Sequence, residues 1–498
     1  MNVQPIRPQD AGADSRLKSN PLLDGLNLVT TESEMFKLIA RNPFRDTAWK
    51  NNNQDIDLFR FYLQQVVVPT RYALKVGVSI HKALKVSLHQ QNPDIQENQR
   101  QYFLTGESLL KPEYYRGIHD GISIIGITGV GKSHLLKASL ATIPQCIERI
   151  NLNGVDRVVQ INWLYIDMSS IASVEALARR LVEEVDKVLK CNGKLLEITF
   201  KGLNSATAQM QAAIRVLKTH FCGIVVFDEI QLANFAVATA APIRDWMLRI
   251  ANVGIGLAFS GNPLGFKLQI PKPKNNKREE QIYATQIMRR LFSSEKIRLD
   301  PASQFDDKDW LFFVKAINSC RLFGVSHKYE PELELLKFKL TGGFHDFYVE
   351  LHCSLERLLA KYPKRKVDVE LINTAARQST KLIEMAPLIK AFRDRDSVAL
   401  RQCIDVDFEY YQELWKQESA GEKPSQPIGP VGVVAMPTMV VDVAKSLEQD
   451  QKAAERRIER GKAKAERVQN PAAIAVRKNH LDELEKLISG GTKDCPNE

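Results

Sequence analysis

Between positions 121 and 301 the chain alternates short apolar runs with longer amphipathic stretches. The apolar runs are Ile122–Ile125, Ile161–Ile166 closed by Asp167, Gly223–Phe227 followed by Asp228 and Glu229, and Ile255–Asn262; Glu295–Leu299, where Ile297 and Leu299 alternate with charged residues, reads as a fifth strand, closed by Asp300 and Pro301. Between them lie Val174–Lys190, which puts Leu177, Leu181, Val185 and Val188 on one helical face, then Ala206–His220 and Pro242–Ile250. Strands with period near 2 that alternate with stretches of period near 3.6 predict a parallel α/β sheet of five strands. After Pro301 the strand pattern stops. Lys308–Ser319, Pro331–Leu340, Phe344–Tyr362 and Val367–Met385 all read as helices, which predicts a small helical lid.

The flanks differ in pattern from this core. Residues 1–55 are polar and broken by Pro5, Pro8, Pro21 and Pro43, as expected of an irregular arm with short docking pieces at Leu22-Leu23 and Phe36–Ile39. Residues 56–120 form a pre-core segment that is helical to about residue 110. There Leu74, Val78 and Ile80 alternate with Arg71, Lys75, His81, Lys82, Lys85 and His89, so the stretch reads either as a surface helix with a basic outer face or as a nucleic-acid or partner contact. Beyond the lid, residues 421–437 are rich in Pro, Gly and Val and read as a linker. Val443–Val468 and Leu481–Ile488 read as charged helical pieces. The expected organisation is an arm at 1–55, a helical segment at 56–120, the α/β core at 121–301, a lid at 302–386, and a linker with a charged tail at 387–498.

Composition narrows the class only modestly. With 498 residues, 44% hydrophobic and 26% charged, the chain is long enough for a sizeable core. Its net charge of +10 permits contact with nucleic acid without requiring it. Seven cysteines, none in a CxxC pair, suggest neither a disulfide framework nor a zinc site. The first residues lack an apolar signal region, and no apolar run is long enough to span a bilayer. The expected location is the cytoplasm, with no membrane partner.

The candidate chemistry begins at Gly126-Ile-Thr-Gly-Val-Gly-Lys-Ser133, between the first strand and a predicted helix starting at His134. This strand–loop–helix setting is what a phosphate-binding P-loop requires. Gly126, Gly129 and Gly131 let the backbone approach phosphate oxygens closely. The N–H groups from Thr128 through Val130, Ser133 and His134 are placed to point at the anion. Lys132 can reach the β- and γ-phosphates, and Ser133 can hold Mg²⁺.

Two further elements fit the same chemistry. Asp228 at a strand end is suited to position Mg²⁺, and Glu229 to polarise an attacking water. This pair favours ATP over GTP, and no Asn-Lys-x-Asp guanine-reading motif is present. Asn262, after the fourth strand, can bridge the water and the γ-phosphate. The stretch from Lys272 to Arg298 holds eight Lys/Arg against three Asp/Glu. Its Lys272, Lys274, Lys277 and Arg278 form a loop that is either a DNA-backbone contact or simply solvated.

Taken in order, the P-loop, Asp228-Glu229-Ile-Gln231, Asn262 and Arg289-Arg290 resemble an AAA+ ATPase. More narrowly they resemble the TnsC/TniB regulators of DNA transposition. That likeness is carried by Asp228–Gln231, Phe103-Leu-Thr-Gly-Glu107, Leu164-Tyr-Ile-Asp-Met-Ser169, and a lid with His345 and Asp346 where many AAA+ families place an arginine. It covers roughly residues 60 to 385, with a weak echo at Asn20–Leu23.

The resemblance implies an AAA+ P-loop NTPase fold with a five-stranded parallel sheet, a helical lid and a C-terminal extension. It implies ATP and Mg²⁺ as ligands, with Asn262 as a sensor and Arg289 or Arg290 reaching a neighbouring subunit's nucleotide. It further implies a ring or filament on double-stranded DNA that links a target selector to transposase or endonuclease subunits and disassembles on hydrolysis. DNA contacts are expected after the second strand, near Ser169 and Ser170, and in the segment ending at Arg157. Two other readings stay open: a replication initiator or helicase loader of AAA+ type, and a signalling ATPase that binds only protein.

Overall fold

The computed structural model describes residues 5–6, 20–45, 55–95, 98, 121–152, 155–169, 171–231, 241–266, 291–292, 295–322, 330–362, 364–403 and 405–419. Its strands are β1 (Pro5–Ile6), β2 (Ile122–Gly126), β3 (Cys146–Leu152), β4 (Val155–Ile161), β5 (Trp163–Asp167), β6 (Ile224–Asp228), β7 (Gly256–Gly261) and β8 (Glu295–Leu299). Five of them form one parallel sheet in the order β5-β6-β7-β2-β8. These are the five strands the apolar runs predict.

Period-2 alternation explains why both faces of this sheet are covered, as a parallel sheet demands. On β6, Ile224 and Val226 join the apolar cluster with Ile124, Leu136 and Leu84, while Val225 and Phe227 join the opposite cluster with Leu181, Ile214 and Phe259. Helix α1 (Glu32–Ile39), α2 (Ile56–Leu63) and α3 (Arg71–Gln90) precede the sheet. Helix α4 (Lys132–Ala141) follows β2. Between β5 and β6 run α5 (Val174–Leu189), α6 (Lys194–Phe200) and α7 (Ala206–Thr219). Helix α8 (Ala241–Asn252) leads into β7, and the short α9 (Pro263–Phe266) follows it.

Three parts of the core depart from the sequence pattern. The run Ile161–Ile166 is not one strand: Ile161 ends β4, and β5 starts at Trp163. Between them Asn162 turns the chain, donating to Pro144 O and accepting from Gln160. The antiparallel hairpin β3–β4 is an addition to the five strands, and β1 pairs parallel with its β3 edge. Helix α3, expected at the surface, is largely buried, with Val76, Ile80, Leu84 and Leu88 fully enclosed. Its exposed positions are Arg71 at the start and one flank of the C-terminal half with Lys82, Lys85, Val86 and His89. Ser87 near its end lies within hydrogen-bond reach of Gly223 O and Gly254 O, which ties the helix to the sheet.

Of the arm's predicted docking pieces, Leu22 and Ile39 are buried while Phe36 is 45% exposed; Met35, just before the second piece, is buried instead. The buried Arg149 guanidinium donates to Leu22 O and Asp24 O, and Asn20 donates to Leu88 O.

The lid comprises α10 (Lys308–Asn318), α11 (Pro331–Thr341), α12 (His345–Lys361), α13 (Val369–Gln378) and α14 (Thr380–Glu384). Val367–Met385 is thus two helices rather than one. Ser379 breaks it in extended conformation, capping α14 through Leu382 N and donating to Glu350. The folded chain also continues past 386, where a linker was expected. Helices α15 (Ala386–Arg393), α16 (Ser397–Leu400) and α17 (Phe408–Ser419) bury Ile389, Leu400, Tyr411 and Trp415. The linker and helical pieces predicted from 421 onward lie outside the described residues.

Candidate nucleotide site

In a parallel sheet the loops at the carboxyl ends of neighbouring strands meet along one edge. Here β2 lies between β7 and β8, so its following loop lies beside the end of β7 and, one strand further, that of β6. That order gathers the P-loop, Asp228, Glu229 and Asn262.

The loop itself needs glycine at two points. Gly129 and Gly131 have φ of +89° and +94°, a region that side chains disfavour. Gly131 is the N-cap of α4 and makes no side-chain cap, so the first N–H groups of the helix have no partner from a capping side chain. A Cβ on Gly131 would meet nothing within 4 Å, so the loop is open on that side. Val130 turns inward and is 4% exposed, so it contributes to the loop through its backbone. His134 Nε2 donates to Val66 O (3.1 Å), which commits its side chain away from the loop.

Lys132 is 7% exposed and its Nζ donates to Ile127 O at 3.1 Å, folding back over its own loop. Burial lowers its pKa, while the Glu229, Asp228 and Asp405 carboxylates pull the other way. A desolvated ammonium facing carboxylates is a group held ready for a polyanion.

Asp228 is 1% exposed and both oxygens are engaged. Its Oδ2 accepts from the Tyr165 hydroxyl and its Oδ1 from Glu229 N. Burial, then the hydrogen bond to Asp228, raises the Tyr165 pKa, so this phenol stays a donor. Lys137 Nζ lies 5.0 Å from the Tyr165 ring centroid. Glu229 sits in the left-handed region at φ +57°, at a cost of roughly 1 kcal/mol or more. Two backbone contacts hold that turn, Glu229 N to Asp228 Oδ1 and Ile230 N to Ser260 O (3.2 Å).

Gln231 links the two carboxyl edges. Its Nε2 donates to Glu229 Oε2, and its Oε1 accepts from Asn262 N at 3.0 Å. The Asn262 side chain accepts from Leu264 N (3.1 Å).

The lid touches the loop directly. Asp346 N, at the start of α12, donates to Gly129 O (3.1 Å), and the Phe344 and Phe347 rings stand close enough to crowd any Cβ there. His345, the helix-start residue considered for nucleotide contact, packs in the lid core. Its ring stacks edge-on to Trp310 and Phe313, and burial pushes its pKa down to about 4. Asp346 pairs with Lys381. Thr128 at the loop tip donates to Asp405 Oδ2 at 3.1 Å.

Tyr165, Gln231 and Asp405 are the site residues that sequence reasoning did not assign. The signal for Tyr165 was available in the alternation along β5, where Leu164 and Ile166 face the core and Tyr165 and Asp167 the other side. Asp405 is 277 residues from its partner and had no local signal.

Other candidates fall elsewhere. Arg157 is exposed on β4 and ion-paired with Glu148 across the hairpin. Ser169 is exposed just past β5, its N–H on Asp167. Arg298, within the basic run, lies over the Tyr410 ring and is paired with Asp300 and Asp407, so it is occupied in binding α17 to β8. Ser170, Lys272, Lys274, Lys277, Arg278, Arg289 and Arg290 lie outside the described residues.

The donor set suits a hard cation carried with a polyphosphate: one serine hydroxyl and one strand-end carboxylate, with water and phosphate completing the shell. Among the described residues no cluster of three or more His, Cys, Asp or Glu could hold a metal by itself.

A family described as "AAA domain" matches residues 119–268. The sheet order, the ringing helices and the helical part that follows are those of an AAA+ P-loop NTPase fold. No curated protein matches the chain. Similar solved structures include the Aeropyrum pernix ORC2 protein in ADPNP and ADP complexes, at 14% identity and TM-score 0.35, covering 62% of this chain and 82% of that one. The Aeropyrum pernix ORC1 protein in complex with DNA matches at 15% and 0.34, covering 62% and 74%. The Thermotoga maritima RuvB Holliday junction branch migration motor matches at 12% and 0.32, covering 67% and 91%. Among the described residues no helix is long and apolar enough to cross a membrane.

Proposed function

We propose that this chain is an ATP-hydrolysing switch that assembles on double-stranded DNA and regulates DNA transposition. The observation that carries the ATPase part is the meeting of Lys132, Asp228, Glu229 and Asn262 around an open, uncapped P-loop. Lys132 and the loop N–H groups hold the β- and γ-phosphates. Ser133 and Asp228 hold Mg²⁺, which supplies charge neutralisation on the phosphate oxygens. Glu229 orients a water and takes its proton as the water oxygen bonds the γ-phosphorus. The bond from that phosphorus to the ADP oxygen breaks, leaving ADP and phosphate. Asn262 steadies the water and the γ-phosphate.

Support for the transposition part is the sequence resemblance, in which Asp228-Glu229-Ile-Gln231 and a lid with His345 and Asp346 in place of an arginine take part. In this reading Arg289 or Arg290 completes a neighbour's site, so nucleotide controls whether subunits hold together. Arg157, Ser169, Ser170, Lys272, Lys274, Lys277 and Arg278 are the proposed DNA contacts. A target selector and a transposase or endonuclease are the proposed protein partners.

The test is electron microscopy of the full chain with duplex DNA and a non-hydrolysable ATP analogue. Rings or filaments that require both nucleotide and DNA are expected. Unassembled protein under those conditions contradicts the DNA-switch reading.

A further inference from the structure

Gln231 stands where it can act on hydrolysis without touching nucleotide. Its amide orientation is settled by one neighbour. The Asn262 backbone N–H can only donate, so the atom facing it at 3.0 Å is Oε1. Nε2 therefore points the other way, at Glu229 Oε2, which it reaches. A flipped amide would set N–H against N–H at one end and oxygen against carboxylate at the other. The backbone of β7's end thus dictates that Glu229 receives a donor.

Space has been left for this bridge. A Cβ on Gly261 would stand 2.5 Å from Gln231 Oε1 and 2.9 Å from Ile230 Cγ1. Glu229 is the residue that most needs such a tether, because its backbone is in the left-handed region and its side chain is only part-buried. An untethered glutamate there would sample several rotamers, and a base that is aimed only part of the time loses rate in proportion.

We infer that Gln231 is a positioning residue for hydrolysis: its amide, held by the Asn262 N–H, aims the Glu229 carboxylate towards the water site beside Asn262. This rests on the ATPase reading above and adds to it the group that sets its base. The Gln231 amide is engaged by Glu229 and Asn262, and not by the P-loop or its lysine, so it acts on turnover and not on nucleotide affinity.

Gln231→Glu is the incisive variant. It keeps the size of the side chain and an acceptor for the Asn262 N–H, but replaces the donor to Glu229 with a repelling oxygen. Steady-state ATP turnover and ATP affinity should be measured on the full chain for the parent, Gln231→Glu, Gln231→Ala, Gly261→Ala and Glu229→Gln. The expected result is a loss in kcat of about 30-fold or more in both Gln231 variants, set against a general-base contribution of about 100-fold or more, with the Kd for ATP within about threefold of the parent by that same separation of binding from chemistry. Gly261→Ala should lower kcat in the parent and lower it less in the Gln231→Ala background, where only the Ile230 contact remains. If Gln231→Glu keeps the parent kcat while Glu229→Gln loses it, the positioning role is overturned and the ATPase reading stands. If the Gln231 losses appear in Kd instead of kcat, the positioning role is likewise overturned. If the parent shows no turnover that depends on Glu229, the ATPase reading falls and this inference falls with it.

Discussion

Thr128 Oγ1 donates to Asp405 Oδ2 at 3.1 Å, joining the tip of the phosphate loop to a segment 277 residues further along the chain. The same carboxylate acts on Lys132. The contact therefore puts a negative charge where phosphate must arrive. Asp405→Asn keeps the side-chain shape and removes the charge. It should tighten ATP binding by about two- to fivefold, the scale of one partly screened charge. Isothermal titration calorimetry at two salt concentrations checks this, and weaker binding by the variant would count against it.

Tyr165 supports Asp228 rather than the nucleotide. Removing its hydroxyl with Tyr165→Phe leaves Asp228 Oδ2 without its donor at 1% exposure. The Mg²⁺ concentration for half-maximal turnover should rise roughly tenfold, as for other lost partners of a metal-ligating group. A Mg²⁺ titration of turnover reads this out. Unchanged Mg²⁺ dependence would mean that Asp228 needs no support.

The legibility of this chain follows a clear division. The five strands of the sheet were readable because four are short apolar runs on a covered sheet and β8 alternates Ile297 and Leu299 with charged residues, and the nucleotide motifs because their spacing is local. The hairpin β3–β4 was not readable. Glu148, Arg149, Arg157 and Gln160 interrupt its apolar positions: Arg149 and Gln160 are satisfied by Leu22 O of the docked arm, and Arg157 pairs with Glu148 across the hairpin. Helix α3 was misplaced for a related reason. Its basic residues suggested a surface helix, while burial of its other faces comes from α1 and the sheet, which are remote in sequence. The same holds for Gln231 and Asp405, whose roles arise from partners across the fold.

Two packed histidines, His81 buried and His345 part-buried, make the fold acid-sensitive. His81 accepts from Val29 N at Nδ1 and bonds Thr142 Oγ1 at Nε2, so it is neutral. Burial pushes both His81 and His345 from 6.5 down to about 4. Between those values the unfolded chain holds more protons than the folded one. The stability from keeping these rings neutral is complete above pH 6.5 and is lost as pH falls towards 4. A tenfold weakening of proton affinity corresponds to about 1.4 kcal/mol. Urea midpoints should fall between pH 7 and pH 5 by about one to a few kcal/mol in unfolding free energy. His345→Phe should flatten part of that slope. A pH-independent midpoint over this range would contradict it.

The segment from α15 to α17 is part of the fold. Trp415 packs on Phe392 and Tyr411, and Phe392 packs on Phe344 beside the P-loop. Tyr410 and Tyr411 both donate to Asp300 at the end of β8. Trp415→Ala should cost about 3 kcal/mol, within the range for large aromatic truncations in a core. Chemical denaturation of the full chain measures this, and a loss below about 1 kcal/mol would place Trp415 outside the core.

The central claim is that the P-loop, Asp228, Glu229 and Asn262 form one ATP-hydrolysing site. Parallel measurement of ATP binding and phosphate release for the parent, Lys132→Ala and Glu229→Gln tests it most directly. The parent should bind and hydrolyse ATP. Glu229→Gln should bind ATP with phosphate release reduced about 100-fold or more, and Lys132→Ala should lose binding. Phosphate release by Glu229→Gln equal to the parent, or ATP binding unaffected by Lys132→Ala, would contradict the account.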